Sequence, residues 1–292
     1  MTGLLLARGH TVRAATRDPA HLAATRLASL GAEVVRADFD DVTSLAAAAR
    51  GMDAVFASGT AHKAGPSGEE AHGKNLADAL LLAGAPHLVF VSGARADQDT
   101  GLPLLRAKHA VERRIALRQL PATVIAPVYL MENLLNPWNL GSLRAGVLPT
   151  PVPPSLRLQQ VATSDVFALA VLAIEHPEVF VGERIEVASD APTGPEAAAI
   201  LSSLLGHEFT ARQIPVTSLP PGLATLFAWL ERNPSVVDMG ALHGRFPEVG
   251  WHRFGDWARQ QQAQLTEASG TRPAPARLPV QRPGHEAEVG EP

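Results

Sequence analysis

The sequence has no cysteine, which removes disulfides, thiolate nucleophiles and thiolate-bound metals together and fits a reducing compartment. It has one tyrosine, Tyr129, and three lysines, Lys63, Lys74 and Lys108, so chemistry that needs either residue type has few places to sit. Long apolar runs are also missing. The longest, around Phe167–Ile174, falls well short of the ~18–20 residues that cross a bilayer, and the apolar stretch within Met1–His10 is too short for a signal peptide. A cytoplasmic protein is expected. The eleven histidines form no H-E-x-x-H or paired-ligand spacing, so no metal site is expected. A G-x-S-x-G elbow and a G-x-x-x-x-G-K-[ST] loop are likewise absent, which argues against a hydrolase of that type and a nucleotide hydrolase. Neither sign of charge dominates: 25 Lys+Arg stand against 29 Asp+Glu, for a net charge of −4. No basic field exists to hold nucleic acid.

The 292 residues, 46% hydrophobic and 18% charged, make a globular chain of one large domain or a major and a smaller one. Short β-rich runs alternate with helical patterns through the first half, the rhythm of βαβ units and a parallel sheet. Strands are predicted at 11–16, 33–36, 53–57, 87–91 and 122–125. Helices are predicted at 20–30, 42–50, 69–84 and 104–119, with Gly31 and Gly51 as stops and Asp40 or Asp41 as a cap. Leu148–Pro154 reads as a turn-rich connection, and Ser164–Asp165 as the cap of a helix to 175. A strand at 184–188 and a Thr193–Glu196 capping box follow, opening a helix to 205 that Gly206 ends. Helices near 217–232, 235–243 and 251–265 come last, with Trp229, Trp251 and Trp257 at core-like spacings. The fold class is α/β, a doubly wound parallel sheet, with 1–135 as the nucleotide-binding part, 136–267 as a smaller and mostly helical region, and 268–292 as a disordered tail.

The beginning of the chain departs from that pattern. A doubly wound fold starts with a central strand and a glycine-rich turn, whereas Leu4–His10 reads as the end of a first helix, with Gly3 inside it. About twenty residues of strand, turn and helix start are expected to be missing, leaving a gap between the strands at 11–16 and 53–57. Either the sequence starts at an internal methionine, which the intact remaining pattern favours, or the sheet closes up and cofactor binding is weakened.

The passages Leu5–Arg13, Thr16-Arg17-Asp18-Pro19, Gly31–Val35 with Asp38-Phe39-Asp40-Asp41, Phe90–Ala94, Lys108, Met131–Leu135 and Phe180–Glu183, in that order, resemble the NmrA-like family of atypical short-chain dehydrogenase/reductases. The resemblance covers about Leu4 to Gln264. It implies a Rossmann fold that binds NAD(P), in either an NAD(P)H-dependent reductase, quinone reductases included, or a redox-sensing regulator that binds the cofactor without turning it over.

Doubly wound sheets bind ligands beyond the carboxyl ends of their strands. Arg17 follows the second strand of the expected fold, where a guanidinium forks onto a phosphate; the resemblance puts it at the adenosine 2′-phosphate and favours NADP(H) over NAD(H), although Asp18 beside it lowers the local positive potential. It also places Asp38 and Phe39 at the adenine. Gly59 and Thr60 follow the next strand, where backbone approaches the cofactor or a surface loop forms. Typical short-chain dehydrogenases pair a Tyr-x-x-x-Lys, but position 104 is Leu, so the usual proton donor is absent and the resemblance keeps Lys108 alone, at the nicotinamide ribose. Ser92 stands where the catalytic serine of typical short-chain dehydrogenases lies and orients a substrate oxygen, or is a strand-end turn residue. Pro127, Tyr129, Glu132 and Asn133 follow the last strand and flank the nicotinamide and substrate. Tyr129 replaces the missing acid or packs as a buried aromatic beside Trp138. Two functions remain in view: hydride transfer from NADPH to a small electrophile such as a quinone, which needs positioning more than a strong acid, and an NADP(H) sensor acting through a protein partner or homodimer.

Overall fold

The computed structural model describes residues 1–59, 61–215, 217, 219 and 221–270, with the backbone alone at 61–63 and 221. After α1 (Thr2–Ala7), the first half runs β1 (Arg13–Thr16), α2 (Leu22–Ser29), β2 (Glu33–Arg36), α3 (Val42–Ala49), β3 (Ala54–Ser58), α4 (Ala61–Leu82), β4 (His87–Val91), α5 (Pro103–Leu117) and β5 (Ala122–Pro127). The expected βαβ rhythm is present, and each predicted strand lies within two residues of its expected bounds. Local chemistry sets the helix ends. Asp41 caps α3 by accepting the N–H groups of Thr43 and Ser44 at 3.0 and 3.1 Å, and Gly31 and Gly51, at φ 102° and 75°, take the left-handed positions that end α2 and α3. The start of α4 lies before the predicted 69. A break at Gly65 (φ 66°) divides the helix, and Pro66 opens its second part, where a fixed φ and a missing N–H cost nothing.

The strands form two separate parallel ladders on this side of the molecule. β1 pairs with β2, Arg13 opposite Glu33, while β3, β4 and β5 pair in order and β5 pairs with β9 (Arg184–Val187). Among the described residues no strand joins β1 to β3, so the expected gap is there. β4 is buried on both faces, as a strand between two helical layers must be. Leu88 and Phe90 pack with Leu76, Leu80, Val111 and Ile115 of α4 and α5, and Val89 packs with Val166, Leu169 and Ala170 of α7 (Thr163–Glu175).

The second half departs more from expectation. β6 (Tyr129–Leu130) pairs with β8 (Gln160–Val161), and β7 (Val147–Thr150) pairs with β10 (Thr210–Gln213), so part of the predicted turn-rich connection is a strand. Pro149 is tolerated because β7 has a partner on one side only. Two short helices, α6 (Leu140–Arg144) and α8 (Pro177–Phe180), flank α7. α9 (Gly194–Leu205) has the predicted capping box, with Thr193 and Glu196 bonded reciprocally, and Gly206 as its left-handed stop. α10 (Pro221–Arg232) and α11 (Met239–Arg245) follow, and the single helix expected at 251–265 is two, α12 (Phe254–Gln260) and α13 (Gln262–Ser269). α13 runs past 268, where the tail was expected to begin, and residues 271–292 lie outside the described residues. Trp257, 1% exposed, packs with Leu143, Leu201 and Leu265 in the core of this half. Trp229 and Trp251 are partly buried at the margins of other apolar clusters.

Asp165 does not cap α7 as predicted. It sits fully buried in the first turn, accepting Ser189 Oγ at 2.5 Å and the His252 N–H at 2.9 Å, and pairing with His252 Nδ1 at 2.5 Å. The carboxylate therefore ties the end of β9 and the approach to α12 onto α7. Glu132 does the capping, accepting the Thr163 N–H at 3.0 Å and Trp257 Nε1 at 3.0 Å.

At the other end of α7, Glu175 accepts Arg8 Nε at 2.8 Å and pairs with His10 Nε2 at 2.9 Å. The Arg8 guanidinium, against a smaller opposing effect of burial and with help from His10, holds its carboxyl at about 2.

Two outcomes follow from these carboxylates. Asp165→Ala strands the buried N–H and hydroxyl donors it serves and is expected to lower unfolding free energy by about 3 kcal/mol in urea titrations. Because the folded form of Glu175 titrates below its unfolded value, its contribution is present at neutral pH and disappears as pH falls from about 5 towards 2. Glu175→Gln is then expected to be less stable than wild type by ~1 kcal/mol at pH 7, with partly exposed partners limiting the effect, and equally stable near pH 2.

Candidate cofactor and active site

Predicted residues stand at the carboxyl ends of both ladders, Arg17, Asp38 and Phe39 after β1 and β2, and Gly59, Ser92 and Pro127 at the ends of β3, β4 and β5. Arg17, just past β1, is exposed and has no hydrogen bond or ion pair with any described residue. Past β2, Asp38 closes a tight turn by accepting the Asp40 N–H at 3.1 Å, and its own N–H goes to Ser44 Oγ at 3.0 Å. The Phe39 ring stacks on His72 of α4, centroids 5.4 Å apart and planes at 19°. α4 also sends Asn75 Nδ2 to the Phe39 carbonyl at 2.8 Å and His72 Nε2 to Asp40 Oδ1 at 3.1 Å.

Past β3, Gly59 lies against the carboxylate of Glu69. A Cβ at Gly59 would stand 1.8 Å from Glu69 Oε1, so any other residue there would displace this carboxylate. Thr60 lies outside the described residues. Glu69 is 2% exposed, and its Oε1 accepts Lys108 Nζ of α5 at 2.8 Å. Past β4, a Cβ at Gly93 would stand 3.4 Å from Lys108 Cδ, so the lysine stem runs alongside the turn that follows Ser92.

Ser92 is buried, and its hydroxyl donates to Glu112, one turn beyond Lys108 on α5. Glu112 in turn accepts Arg184 Nε at 3.0 Å, and Arg184 reaches the Gly93 carbonyl and Glu186 Oε1, both at 3.1 Å. Burial works against the Arg184 charge, but Glu112, Asp97 and Glu186 together raise its pKa above the ordinary arginine value. The same turn carries Arg95 at φ 60°, an uncommon backbone state for a side chain with a Cβ. It is held by its N–H to Glu186 Oε1 at 2.7 Å and its guanidinium to the Val236 carbonyl at 3.0 Å.

The remaining predicted residues lie further along the chain. Pro127 ends β5, its carbonyl accepting the Ala94 N–H at 3.0 Å. Tyr129 is in β6, and burial pushes its hydroxyl up beyond the ordinary phenol range, with an opposing hydrogen bond to Asn133. A phenol so placed holds its proton. Its neighbours are Val152, Leu158, Leu156 and Trp229, whereas Trp138 is 54% exposed, so the expected packing beside Trp138 is not found. Tyr129 borders a small, mostly apolar cavity of about 40 Å³ walled by Leu148, Pro151, Val152, Pro154 and Phe254. Glu132 faces α7 and Trp257, as described above, and Asn133 accepts Asn136 Nδ2 at 3.4 Å.

Sequence reasoning missed Glu69, His72, Asn75, Glu112 and Arg184. The available signal was Gly73, a residue that weakens a helix interior and here marks a close helix crossing: a Cβ on it would stand 2.2 Å from Val111 Cγ2. Among the described residues no group of three or more His, Cys, Asp or Glu could hold a metal ion, and no helix is long and apolar enough to cross a membrane.

The profile of the NmrA-like family matches residues 1–228. An NmrA-like family domain-containing oxidoreductase of Aspergillus hancockii is 35% identical over 135 residues, which are 42% of this chain and 40% of that protein. The chain thus spans about 40% of the length of the curated relatives it matches. Among solved structures, Citrobacter sp. triphenylmethane reductase complexed with NADP(H) aligns with a TM-score of 0.74 at 19% identity, covering 89% of this chain and 94% of that one. The NADPH-dependent quinone oxidoreductase of Escherichia coli, complexed with NADPH, aligns with a TM-score of 0.64 at 21% identity, covering 92% and 89%. At these identities the two structures share the Rossmann-like fold. With the family profile spanning most of its length, the chain belongs to the NmrA-like family.

Proposed function

We propose that the protein is an NADPH-dependent oxidoreductase that reduces a small apolar electrophile such as a quinone, with 1–135 holding the cofactor and 136–267 contributing the substrate side. The observation that carries this reading is the convergence of Arg17, Asp38, Phe39, Gly59 and Lys108 on the carboxyl ends of successive parallel strands, where doubly wound folds take dinucleotides.

The residues suit the parts of that cofactor unequally. Arg17, an exposed cation with no partner among the described residues, offers a fork for a 2′-phosphate. Asp38 and the Phe39 ring offer an acceptor and a stacking face for the adenine. Lys108 uses one of its three ammonium donors on Glu69, leaving two for vicinal hydroxyls of a ribose. A glycine-rich turn for the pyrophosphate is not among the described residues.

Bound nicotinamide supplies hydride chemistry. The chain holds the acceptor and manages protons. The apolar cavity beside Tyr129 has to widen to admit a ring, and its lining favours an uncharged substrate. A quinone that gains hydride becomes a phenolate-like anion, stable enough to take its proton from water or from the Lys108 ammonium, so the absent Tyr-x-x-x-Lys tyrosine is no obstacle. Ser92 orients a substrate oxygen only by exchanging its bond to Glu112 for one to the substrate. The related proteins whose names include NADP(H) or NADPH and quinone reduction support the same assignment.

The reading is tested by titrating the chain with NADPH and NADH while following nicotinamide fluorescence, then adding quinones and recording absorbance loss. NADPH binding with quinone-dependent oxidation is expected; binding without turnover of any quinone selects the sensing role, and no binding removes both. Arg17→Ala is expected to raise the NADPH dissociation constant about tenfold, the scale of one charge-assisted phosphate contact, and to leave NADH nearly unchanged. Equal losses for the two would remove Arg17 from the phosphate.

A further inference from the structure

We propose that Glu69 is the positioning residue for Lys108, fixing the ammonium so that its two remaining donors meet the hydroxyls of the nicotinamide ribose. The proposal rests on the cofactor reading above.

A carboxylate whose side chain is 1% exposed is costly to keep charged without a cation. Glu69 has one in Lys108, itself 13% exposed, at 2.8 Å. It also lies in the first turn after Pro66, where the positive end of the helix dipole favours an anion. Two glycines lie beside the pair. Gly59 borders the space that the carboxylate fills, and Gly93, whose close neighbour is Leu105, has the Lys108 stem at ordinary contact distance. Gly73, one turn beyond Glu69, allows α4 to press against Val111, one turn beyond Lys108. The far end of the same helix pair is fixed by Asp78 of α4, which accepts Arg114 Nε at 3.0 Å and Arg118 Nε at 2.7 Å. Although burial works to raise the Asp78 carboxyl, those two guanidiniums hold it below the usual range.

Lysine is a flexible point charge and by itself samples many rotamers. The next acid on α5, Glu112, is engaged by Ser92 and Arg184, so Glu69 is the only carboxylate on Lys108 among the described residues. Its role is to hold the ammonium in one place before the ligand arrives, lowering the ordering cost of binding. No covalent or redox step is assigned to it.

The test compares wild type, Glu69→Gln and Glu69→Ala for binding of NADPH and of adenosine 2′,5′-bisphosphate, which has the adenosine end and no nicotinamide ribose. The NADPH dissociation constant is expected to rise about tenfold in both variants, the loss of one oriented ionic hydrogen bond, with adenosine bisphosphate affinity unchanged. In a Lys108→Met background, Glu69→Gln is expected to add nothing further. Equal weakening of both ligands, unchanged NADPH affinity, or a full additional loss on Lys108→Met overturns the assignment. A wild-type chain that binds neither ligand overturns the cofactor reading, a result distinct from failure of the variants alone.

Discussion

Everything at the candidate site depends on how α4 spans the break in the sheet. β1 and β2 form one ladder and β3, β4, β5 and β9 another, and no backbone hydrogen bonds join them among the described residues. In an unbroken sheet the ladder itself would fix the spacing of neighbouring strand ends. Here a helix does so. α4 packs Ala79 against Ala37, Leu45 and Ala46 on one side and Leu76 and Leu80 against Leu88 and Phe90 on the other. Along the same helix, His72 and Asn75 reach the turn after β2 while Glu69 reaches Lys108. The adenine end and the nicotinamide end of the proposed site are thus set by side chains within two turns of one helix. α1 adds a smaller tie through Arg8, His10 and Glu175.

Two layers of charge follow from this arrangement. Arg17 is left exposed and free for an anion, whereas Lys108 and Ser92 are already engaged by Glu69 and Glu112. The first suits capture of a phosphate from solvent, where a guanidinium gains most by being unspent. The second suits precision, because a buried and paired donor has little freedom left to lose when a ligand binds. Asp165 does comparable work in the second half of the chain, holding β9 and α12 on α7 so that the wall of the Tyr129 cavity, Phe254 included, stays in place.

Much of this was legible in the sequence, and the reasons differ by element. The strands of the first half were clear because short β-branched runs lie between capped helices, with Asp41, Gly31 and Gly51 marking their ends by local geometry. The gap beside β1 was legible too, since Leu4–His10 has a helical pattern that leads directly into a strand. β7 was hidden because Pro149 reads as a turn signal, and its pairing with β10 joins residues 63 apart in the chain. The same limit concealed Glu69. Lys108 could be singled out by its rarity and by resemblance, but which of 29 acids meets it depends on a helix crossing that only Gly73 hints at. Asp165 was visible as a cap candidate, and its true partners, Ser189 and His252, are long-range.

The most direct test of the account is amide hydrogen exchange across the whole chain with and without NADPH. Protection is predicted at the turns after β1, β2, β3 and β4, around Arg17, Asp38, Phe39, Gly59 and Ser92, together with the first turns of the second part of α4. Protection confined to the Tyr129 cavity, with those strand-end turns unchanged, would contradict the placement of the cofactor on the sheet.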